Sequence, residues 1–308
     1  VVKEDGKLVT RLVNIDRDLC VIPNVAIHFN REINKGFAYN PQVDLLPLYG
    51  GGAGEEKEKK NSLKKLCADT LGIEEEQILA SDLYLYCREK GRRMGVEGEF
   101  IGSPRLDDLQ CAYGTLMGFL ASEKGKEDRA AAGEYGAVYA LFDNEEIGSG
   151  TKQGADSTFL SDIIDCICDA CGRNGMQKRD ILSESFLLSA DNAHGVHPNH
   201  PEKSDPTNRP YLNGGIVLKF QGSQKYTTDA YSAAVIRDIC REQDIPCQNF
   251  ANRADVPGGS TLGNISSAHV SIPAADIGLA QLAMHSAFET AGEKDTEYLV
   301  RLCQGFFR

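Results

Sequence analysis

From about residue 98 onwards, the sequence alternates between segments with helical and with strand periodicity, and this alternation most restricts the fold. The predicted helices cover residues 106–121, 157–171, 229–242 and 281–291. The predicted strands cover residues 136–142, 186–190, 215–220 and 277–279. Alternating elements of this length favour an α/β sandwich built around a mostly parallel sheet.

Residues 1–97 have a different, β-rich pattern. Strands are predicted at residues 8–13, 19–22, 25–29 and 83–87. A run of glycines and charged residues over 50–60 predicts a flexible surface loop. A helix is predicted over 62–71, ended by Gly72. We therefore expect two domains, a β-rich domain over residues 1–97 and an α/β domain over residues 98–308.

The composition is that of an ordinary globular protein, with 41% hydrophobic and 25% charged residues in a chain of 308. A formal net charge of -12 argues against nucleic acid as a partner, because basic patches drive such binding. No apolar run reaches the roughly 18 residues that span a bilayer, and no signal peptide is recognisable, so we expect no membrane partner. Ten cysteines without a disulfide framework are typical of reduced thiols in a cytoplasm.

The run DNEEIGS at residues 143–149 carries the strongest chemical signal of the chain. It follows the apolar predicted strand 136–142, and strand ends in α/β sheets are where ligand sites form. One carboxylate of the adjacent pair Glu145 and Glu146 can bind a metal ion while the other takes a proton from the activated water. The alternative is a polar turn that starts a helix, where acidic residues are also favourable.

Further acidic and histidine side chains stand at the ends of predicted elements. Asp107 opens the helix 106–121, Asp191 follows the strand 186–190, and His285 lies in an apolar stretch. A helix cap is the alternative for Asp107, and a hydrogen-bonded core histidine is the alternative for His285. Carboxylates with imidazole and without thiolates suit catalytic zinc, cobalt or manganese. A carboxylate able to bridge, such as Asp107, allows two metals about 3.5–4 Å apart.

Two other groups of potential ligands are interpreted as structural. The three histidines within residues 194–200 are separated by Gly and Pro in a loop, so we do not expect them to bind metal directly. Cys166, Cys168 and Cys171 do not share one face of their predicted helix. We expect them to be reduced, partly buried thiols.

Six motifs in order along almost the whole chain resemble the metallo-aminopeptidase family that contains aspartyl aminopeptidase and vacuolar aminopeptidase I. They are IPNVAIH at 22–28, PRLDDL at 104–109, DNEEIGS at 143–149, SADNAHGVHPN at 189–199, PGGST at 257–261 and QLAMHS at 281–286. The resemblance implies a three-layer α/β sandwich zinc-peptidase domain interrupted by an inserted, β-rich dimerisation domain. It also implies removal of the N-terminal residue from peptides.

The resemblance assigns a role to each candidate metal ligand. Asp107 would bridge two divalent ions, with zinc expected and cobalt or manganese as alternatives. Glu146 and His285 would complete the site of one ion, and Asp191 would serve the other. Glu145 would be the general base that acts on the water shared by the two metals, in agreement with the interpretation of the Glu pair from the residues alone.

The resemblance also predicts substrate-binding residues and an assembly. His28 matches a histidine that reaches the active site of a neighbouring subunit, with an ordinary strand-end histidine as the alternative. Lys219 matches a lysine of the substrate pocket, where it could pair with an acidic side chain. The alternative is a surface lysine at the edge of a strand. Gly258 and Gly259 would lie close to substrate because glycine permits close backbone approach, and Met284 completes the predicted set. The family forms homo-oligomers, and a dodecamer built from dimers is expected.

One departure from the family pattern concerns a missing ligand. The family's remaining metal ligand is a histidine of a His-x-Asp motif upstream of the inserted domain, and none of the six histidines here matches it. Because the chain begins at Val1 without Met, we expect it to be a segment of a longer protein. A related zinc hydrolase of other specificity, such as a carboxypeptidase or deacylase, and a non-catalytic assembly protein stay open as alternatives. The preferred N-terminal residue also stays open.

Overall fold

The computed structural model describes residues 1–50, 62–122 and 136–307. By its contacts the chain divides into two compact units, Val1–Arg88 and Glu89–Arg308. The flexible loop predicted over residues 50–60 lies outside the described residues, apart from its first glycine.

The first unit is organised around a short hairpin and one helix. Strands β1 (Val2–Glu4) and β2 (Lys7–Val9) pair antiparallel. Helix α1 (Leu63–Leu71) begins and ends as predicted. The side chain of Ser62 caps its N-terminus, and Gly72 ends it with a φ of 69° that glycine adopts without strain. Its small core consists of Val2, Cys67, Ala68 and Ile78.

Most strands predicted for this unit are wrong. The segments 19–22, 25–29 and 83–87 form no strand, apart from an isolated bridge made by residue 21, and the predicted strand 8–13 shrinks to the end of β2. Apolar side chains of these regions are exposed, among them those of Leu12 (93%) and Phe29 (88%). A strand forms only where a neighbour bonds its backbone, and the described residues of this unit provide no such neighbour.

The second unit contains two sheets with helices packed on them. Its strands are β3 (Arg92–Met94), β4 (Phe100–Ser103), β5 (Leu187–Ala190), β6 (Ala193–His194), β7 (Ile216–Phe220), β8 (Cys247–Ala251), β9 (Ala274–Gly278), β10 (Ala280–Leu282) and β11 (Glu289–Gly292). Its helices are α2 (Leu106–Ser122), α3 (Phe159–Ala170), α4 (Gly175–Glu184), α5 (Ala230–Glu242), α6 (Leu262–Ser267) and α7 (Asp295–Phe306). Single helical turns lie at Glu145–Ile147 and Pro201–Lys203.

The strand order is β3-β4-β11-β10-β6 in one sheet and β5-β9-β7-β8 in the other. In the second sheet, β5 pairs parallel with β9 and β7 pairs parallel with β8, while β7 and β9 run antiparallel. The chain passes directly from β9 to β10, so the two sheets are linked at that point. The α/β architecture expected from the alternating pattern is present, but the expected mostly parallel sheet is not found among the described residues. The four-stranded sheet has two parallel pairs and one antiparallel pair, and the five-stranded sheet has one parallel pair and three antiparallel pairs.

The main core lies between the four-stranded sheet and helices α2, α5 and α7. Its fully buried side chains include Ile216, Leu218, Ile236, Ile277, Leu279, Leu299 and Leu302. Helix α2 packs closely on α7 because glycines face that helix. A Cβ at Gly118 would lie 2.7 Å from the carbonyl oxygen of Val300. This packing fixes the start of α2, which carries two of the acidic residues considered below.

Two predicted elements of the second unit are wrong. Residues 136–142 form no strand, since no described strand pairs with them. The predicted helix 281–291 is instead β10, a turn and β11, paired antiparallel. In a short apolar run, the periodicity of the sequence does not distinguish a buried strand from a buried helix. Helices α4, α6 and α7 and strands β3, β4, β6 and β8 were not predicted. No helix within the described ranges has the length and apolar character needed to cross a membrane.

Candidate metal centre

Three side chains that are distant in the sequence meet at the centre of the candidate site. The Nε2 atom of His285 lies 3.1 Å from Oδ2 of Asp107 and 3.2 Å from Oε2 of Glu146. One potential ligand atom from each of the three lies within 4.8 Å of the others. The structure therefore brings together the three residues predicted to hold one metal ion.

A second group shares a residue with the first. Potential ligand atoms of Asp107, Asp108 and Asp191 also lie within 4.8 Å of one another. Asp107 belongs to both groups, which is the position that a bridging carboxylate needs. Asp108 was not predicted as part of the site. Among the described residues, this second group contains carboxylates only.

The electrostatics of the two groups suit a divalent cation. Burial, together with the charges of Asp191 and Glu146, raises the pKa of Asp107 to about 8. Burial and the charge of Asp191 raise the pKa of Asp108 well above its usual range. Crowded carboxylates repel one another, and a bound cation removes that penalty. Oxygen and imidazole donors without thiolates are the set that catalytic zinc and manganese accept.

Each side chain is presented by a segment at the end of an element. Asp107 follows β4 and lies in the first turn of α2, where its backbone is not yet helical. Glu145 and Glu146 lie in the single turn Glu145–Ile147, between Asn144 and Gly148 in left-handed conformations. Asp191 directly follows β5. His285 lies in the turn between β10 and β11 with a φ of 67°. Strand ends and tight turns thus converge on one site, as strand-end positions in α/β folds do.

Glu145 lies beside the clustered ligands without belonging to either group. Its side chain is half-buried, and burial, Asp191 and Glu146 each raise the pKa of its carboxyl. A carboxylate with a raised pKa accepts and returns protons near neutral pH more readily than an exposed one.

Asp191 is held by two neighbours. The Nζ atom of Lys219 lies 3.2 Å from its Oδ2, and the hydroxyl of Thr261 donates to the same oxygen at 3.1 Å. Lys219 is only 3% exposed and lies on β7. Burial alone would lower the pKa of Lys219, but the charge of Asp191 raises it above its ordinary value. Lys219 is therefore not the surface lysine that was the alternative interpretation.

The remaining predicted substrate residues are less closely grouped. Gly258 has no room for a Cβ, which would lie 2.3 Å from Nε2 of Gln221, whereas nothing lies within 4 Å of a Cβ at Gly259. Met284 precedes His285 and is half-buried. His28 is exposed and belongs to the first unit. The substrate contacts of these residues stay predictions.

The other histidine and cysteine groups do not join the site. In the described part of the chain, neither ligand group includes a histidine of the 194–200 loop or a cysteine. All ten cysteines are free. Cys168 is buried, while Cys166 and Cys171 are exposed. The three thiols form no disulfide, and only one of them is buried.

Sequence reasoning missed residues that act on the backbone of the site. Asp108 accepts a hydrogen bond from the backbone N–H of Asn192 at 3.2 Å. Glu289 accepts hydrogen bonds from the backbone N–H groups of Asp107 and His285. The second aspartate of the PRLDDL motif was a visible signal for Asp108, but it also fits a helix start. Glu289 had no signal, because its position in a predicted helix suggested no contact with Asp107.

An α/β fold with carboxylates and an imidazole gathered where strands end is the arrangement of a metal-dependent hydrolase. Residues 1–307 match the family described as "Aminopeptidase I zinc metalloprotease (M18)". The chain therefore belongs to the M18 family of zinc metallopeptidases. This confirms both the family resemblance and the expected class, a metallo-aminopeptidase.

Curated relatives agree with this assignment. The chain is 46% identical to a probable M18 family aminopeptidase 2 of Clostridium acetobutylicum, over 97% of this chain and 67% of the relative. It is 35% identical to the corresponding protein of Pseudomonas fluorescens, over 99% of this chain and 68% of the relative. The chain thus spans about two thirds of the length of these relatives.

Solved structures confirm the fold. The cryo-EM structure of the Ape4 and Nbr1 complex contains a chain that is 33% identical with a TM-score of 0.89, covering 99% of this chain and 61% of that one. The crystal structure of prApe1 is 27% identical with a TM-score of 0.85, covering 99% and 67%. A dodecamer of mApe1 from S. cerevisiae is 25% identical with a TM-score of 0.77, covering 99% and 66%.

Proposed function

We propose that this chain belongs to a metal-dependent aminopeptidase that removes the N-terminal residue from peptides by means of two divalent metal ions. The observation that carries the proposal is the presence of Asp107 in both ligand groups. Asp107 would bridge the ions, Glu146 and His285 would complete the site of one, and Asp191 would serve the other. Zinc is the metal of the family.

The ions would polarise the scissile carbonyl, lower the pKa of the attacking water and bind the free α-amine of the substrate. Glu145 would take the proton of that water and pass it to the leaving amine. Its half-buried position and raised pKa support this role, since a stronger base takes the proton more completely. Lys219 and Thr261 would keep Asp191 in one orientation.

Substrate contacts would come from the PGGST loop and its surroundings. Gly258 and Gly259 would allow the backbone to approach the peptide, with Met284 and Lys219 nearby and His28 supplied by a second subunit. The contact between Lys219 and Asp191 supports a location of Lys219 next to the metals. An acidic side chain of the substrate would have to compete with Asp191 for the same ammonium group.

The assembly proposed is a homo-oligomer, with a dodecamer built from dimers as its form. The first unit would act as the dimerisation domain. The exposed apolar side chains of its unpaired segments, such as Leu12 and Phe29, support that role because a partner would bury them. The free thiols support a reducing, cytoplasmic location.

The test is hydrolysis of aminoacyl nitroanilides by the purified chain, before and after chelation and metal return. Asp-, Glu-, Leu- and Lys-nitroanilides would rank the preferred N-terminal residue, and N-blocked peptides would test for a carboxypeptidase or deacylase. We expect chelator-sensitive cleavage of free-amine substrates that zinc, cobalt or manganese restores. Cleavage of N-blocked peptides alone would contradict an aminopeptidase. Metal binding without any cleavage is the outcome expected of a segment without the family's remaining histidine ligand or of a non-catalytic assembly protein, and the same assay on a protein of the relatives' full length separates these two.

A further inference from the structure

The carboxylate of Glu289 joins the two segments that carry Asp107 and His285. Its Oε2 accepts a hydrogen bond from the backbone N–H of Asp107 at 2.9 Å. Its Oε1 accepts one from the backbone N–H of His285 at 2.7 Å. Each oxygen therefore serves one of the two residues whose side chains meet at 3.1 Å.

Both backbone donors depend on this acceptor. Asp107 has φ -81° and ψ 113°, outside the helical region, so its N–H lies at an irregular helix start where capping groups are needed. His285 has a φ of 67°, an unfavourable conformation for a residue with a Cβ. Ala283, two residues earlier, has a φ of 58°. Such a turn persists only where its surroundings hold it.

Glu289 itself is fixed in place. It is 2% exposed and is the first residue of β11, where it pairs with Ser103 of β4. The preceding Phe288 packs on Gly102, where a Cβ would lie 2.5 Å from its Cε1 atom. The guanidinium of Arg92 lies 4.7 Å from the centre of the Phe288 ring. A rigid strand end thus presents the carboxylate to both segments.

We propose that Glu289 is a positioning residue, which sets the separation of Asp107 and His285 before a metal ion binds. This role rests on the proposed metal-dependent function. Residues that orient ligands typically change metal affinity by 10–100-fold when they are removed. Glu289 acts through the backbone of two ligands at once, so its loss releases both side chains together.

The decisive variant is Glu289→Gln, which keeps the shape and burial of the side chain. An amide has one acceptor oxygen, so one of the two backbone N–H groups would face an NH₂ group instead. Glu289→Ala removes both acceptors. Glu293→Gln is the matched control, because Glu293 lies four residues further on and pairs with Arg93 at 3.3 Å, away from both ligand groups.

Two measurements on the full chain separate this role from general stability. Zinc affinity, measured by competition with a chromophoric chelator, should weaken about tenfold in Glu289→Gln and further in Glu289→Ala. Amide hydrogen exchange of the metal-free protein should accelerate about tenfold in peptides that contain Asp107 or His285, because a hydrogen bond to a charged acceptor is lost. Amide hydrogen exchange in α5 should stay at the wild-type level in the Glu289 variants. Glu293→Gln should keep the zinc affinity and the hydrogen exchange of the wild type.

The positioning role would be overturned if Glu289→Gln kept the zinc affinity of the wild type and its amide hydrogen exchange around Asp107 and His285. If the wild-type chain bound no zinc, the proposed function would fail, and the exchange of the metal-free protein would still decide the role of Glu289. If Glu289→Ala did not fold, Glu289→Gln would carry the test. The visible spectrum of the cobalt-loaded protein should also change in Glu289→Gln and not in Glu293→Gln.

Discussion

The Nζ atom of Lys219 lies 3.2 Å from Oδ2 of Asp191, and the Lys219 side chain is almost completely buried. The contact places a fixed positive charge directly behind one of the candidate metal ligands. It offsets part of the repulsion among the clustered carboxylates, and both Lys219 and Thr261 contact Oδ2 of Asp191. Lys219, which the family resemblance predicts to contact substrate, thus contacts a candidate metal ligand.

Replacing this lysine should destabilise the metal-free protein more than the metal-loaded protein. Lys219→Met would leave Asp191 without its countercharge, at a cost of roughly 2 kcal/mol. This is below the range for fully buried pairs, because the Asp191 side chain is 18% exposed. Zinc should recover most of the lost thermal stability, since a cation substitutes for the ammonium group. Equal melting temperatures of the metal-free wild type and variant would contradict this account, and Lys203→Met is an exposed control.

His285→Ala should lose metal. Its imidazole nitrogen lies within 3.2 Å of both Asp107 and Glu146, and no other histidine joins the two ligand groups among the described residues. We expect the zinc content of the purified variant, measured by atomic emission, to fall by about one ion per chain. His200→Ala, which removes an exposed histidine paired with Glu202, should keep its full content. Unchanged zinc in His285→Ala would refute the ligand assignment.

Asp295 should make stability depend on pH. Burial raises the pKa of its carboxyl to about 6, although it accepts hydrogen bonds from the backbone N–H groups of Asn213 and Gly215. The folded protein therefore holds a proton that the unfolded chain releases at about pH 4. The stabilisation from this proton is complete below about pH 4 and is lost as the pH rises through about 6.

The variant Asp295→Asn removes this titration and one acceptor oxygen. Relative to Asp295→Asn, the wild type should be most stable near pH 4 and should lose about 3 kcal/mol of that difference by pH 7. Urea unfolding at several pH values measures the difference. A difference that does not change with pH would exclude the raised pKa. Glu297→Gln, on the exposed side of the same helix, should show no such trend.

The thiols should differ in reactivity according to their surroundings. A hydrogen bond with Cys240 and the charge of Arg237 lower the pKa of the exposed Cys247 thiol, whereas burial raises the pKa of Cys303 to about 12. Because the thiolate is the reactive form, iodoacetamide should modify Cys247 early and Cys303 only after unfolding. Peptide mass spectrometry over a time course measures both rates. Equal rates at the two cysteines in the folded protein would be inconsistent with the structure.

Local sequence signals predicted two helices with marked ends. Helix α5 begins after Asp229, whose side chain accepts a hydrogen bond from the N–H of Ser232, and α1 ends at Gly72. The error at residues 281–291 has a local cause too. The chain reverses between β10 and β11 through Ala283 and His285, whose backbones are in the left-handed conformation. Alanine and histidine are not among the residue types that mark turns in a sequence.

The candidate ligands could be predicted because they belong to recognisable motifs. Asp107, Glu146, Asp191 and His285 were each identified, and the structure brings them together. Glu289 could not be found in this way, because its bond to the N–H of Asp107 spans 182 positions of sequence. Backbone contacts of that separation depend on the assembled sheet, which no local pattern encodes.

The most direct test of the account compares the wild type with Glu145→Gln, with zinc content and aminopeptidase rate measured on the same samples. The amide cannot take a proton from the attacking water, and Glu145 belongs to neither ligand group. We predict full zinc content with a turnover at least about a hundredfold lower, as expected when a general base is removed. A zinc-loaded Glu145→Gln protein that cleaves at the wild-type rate would contradict the proposed mechanism.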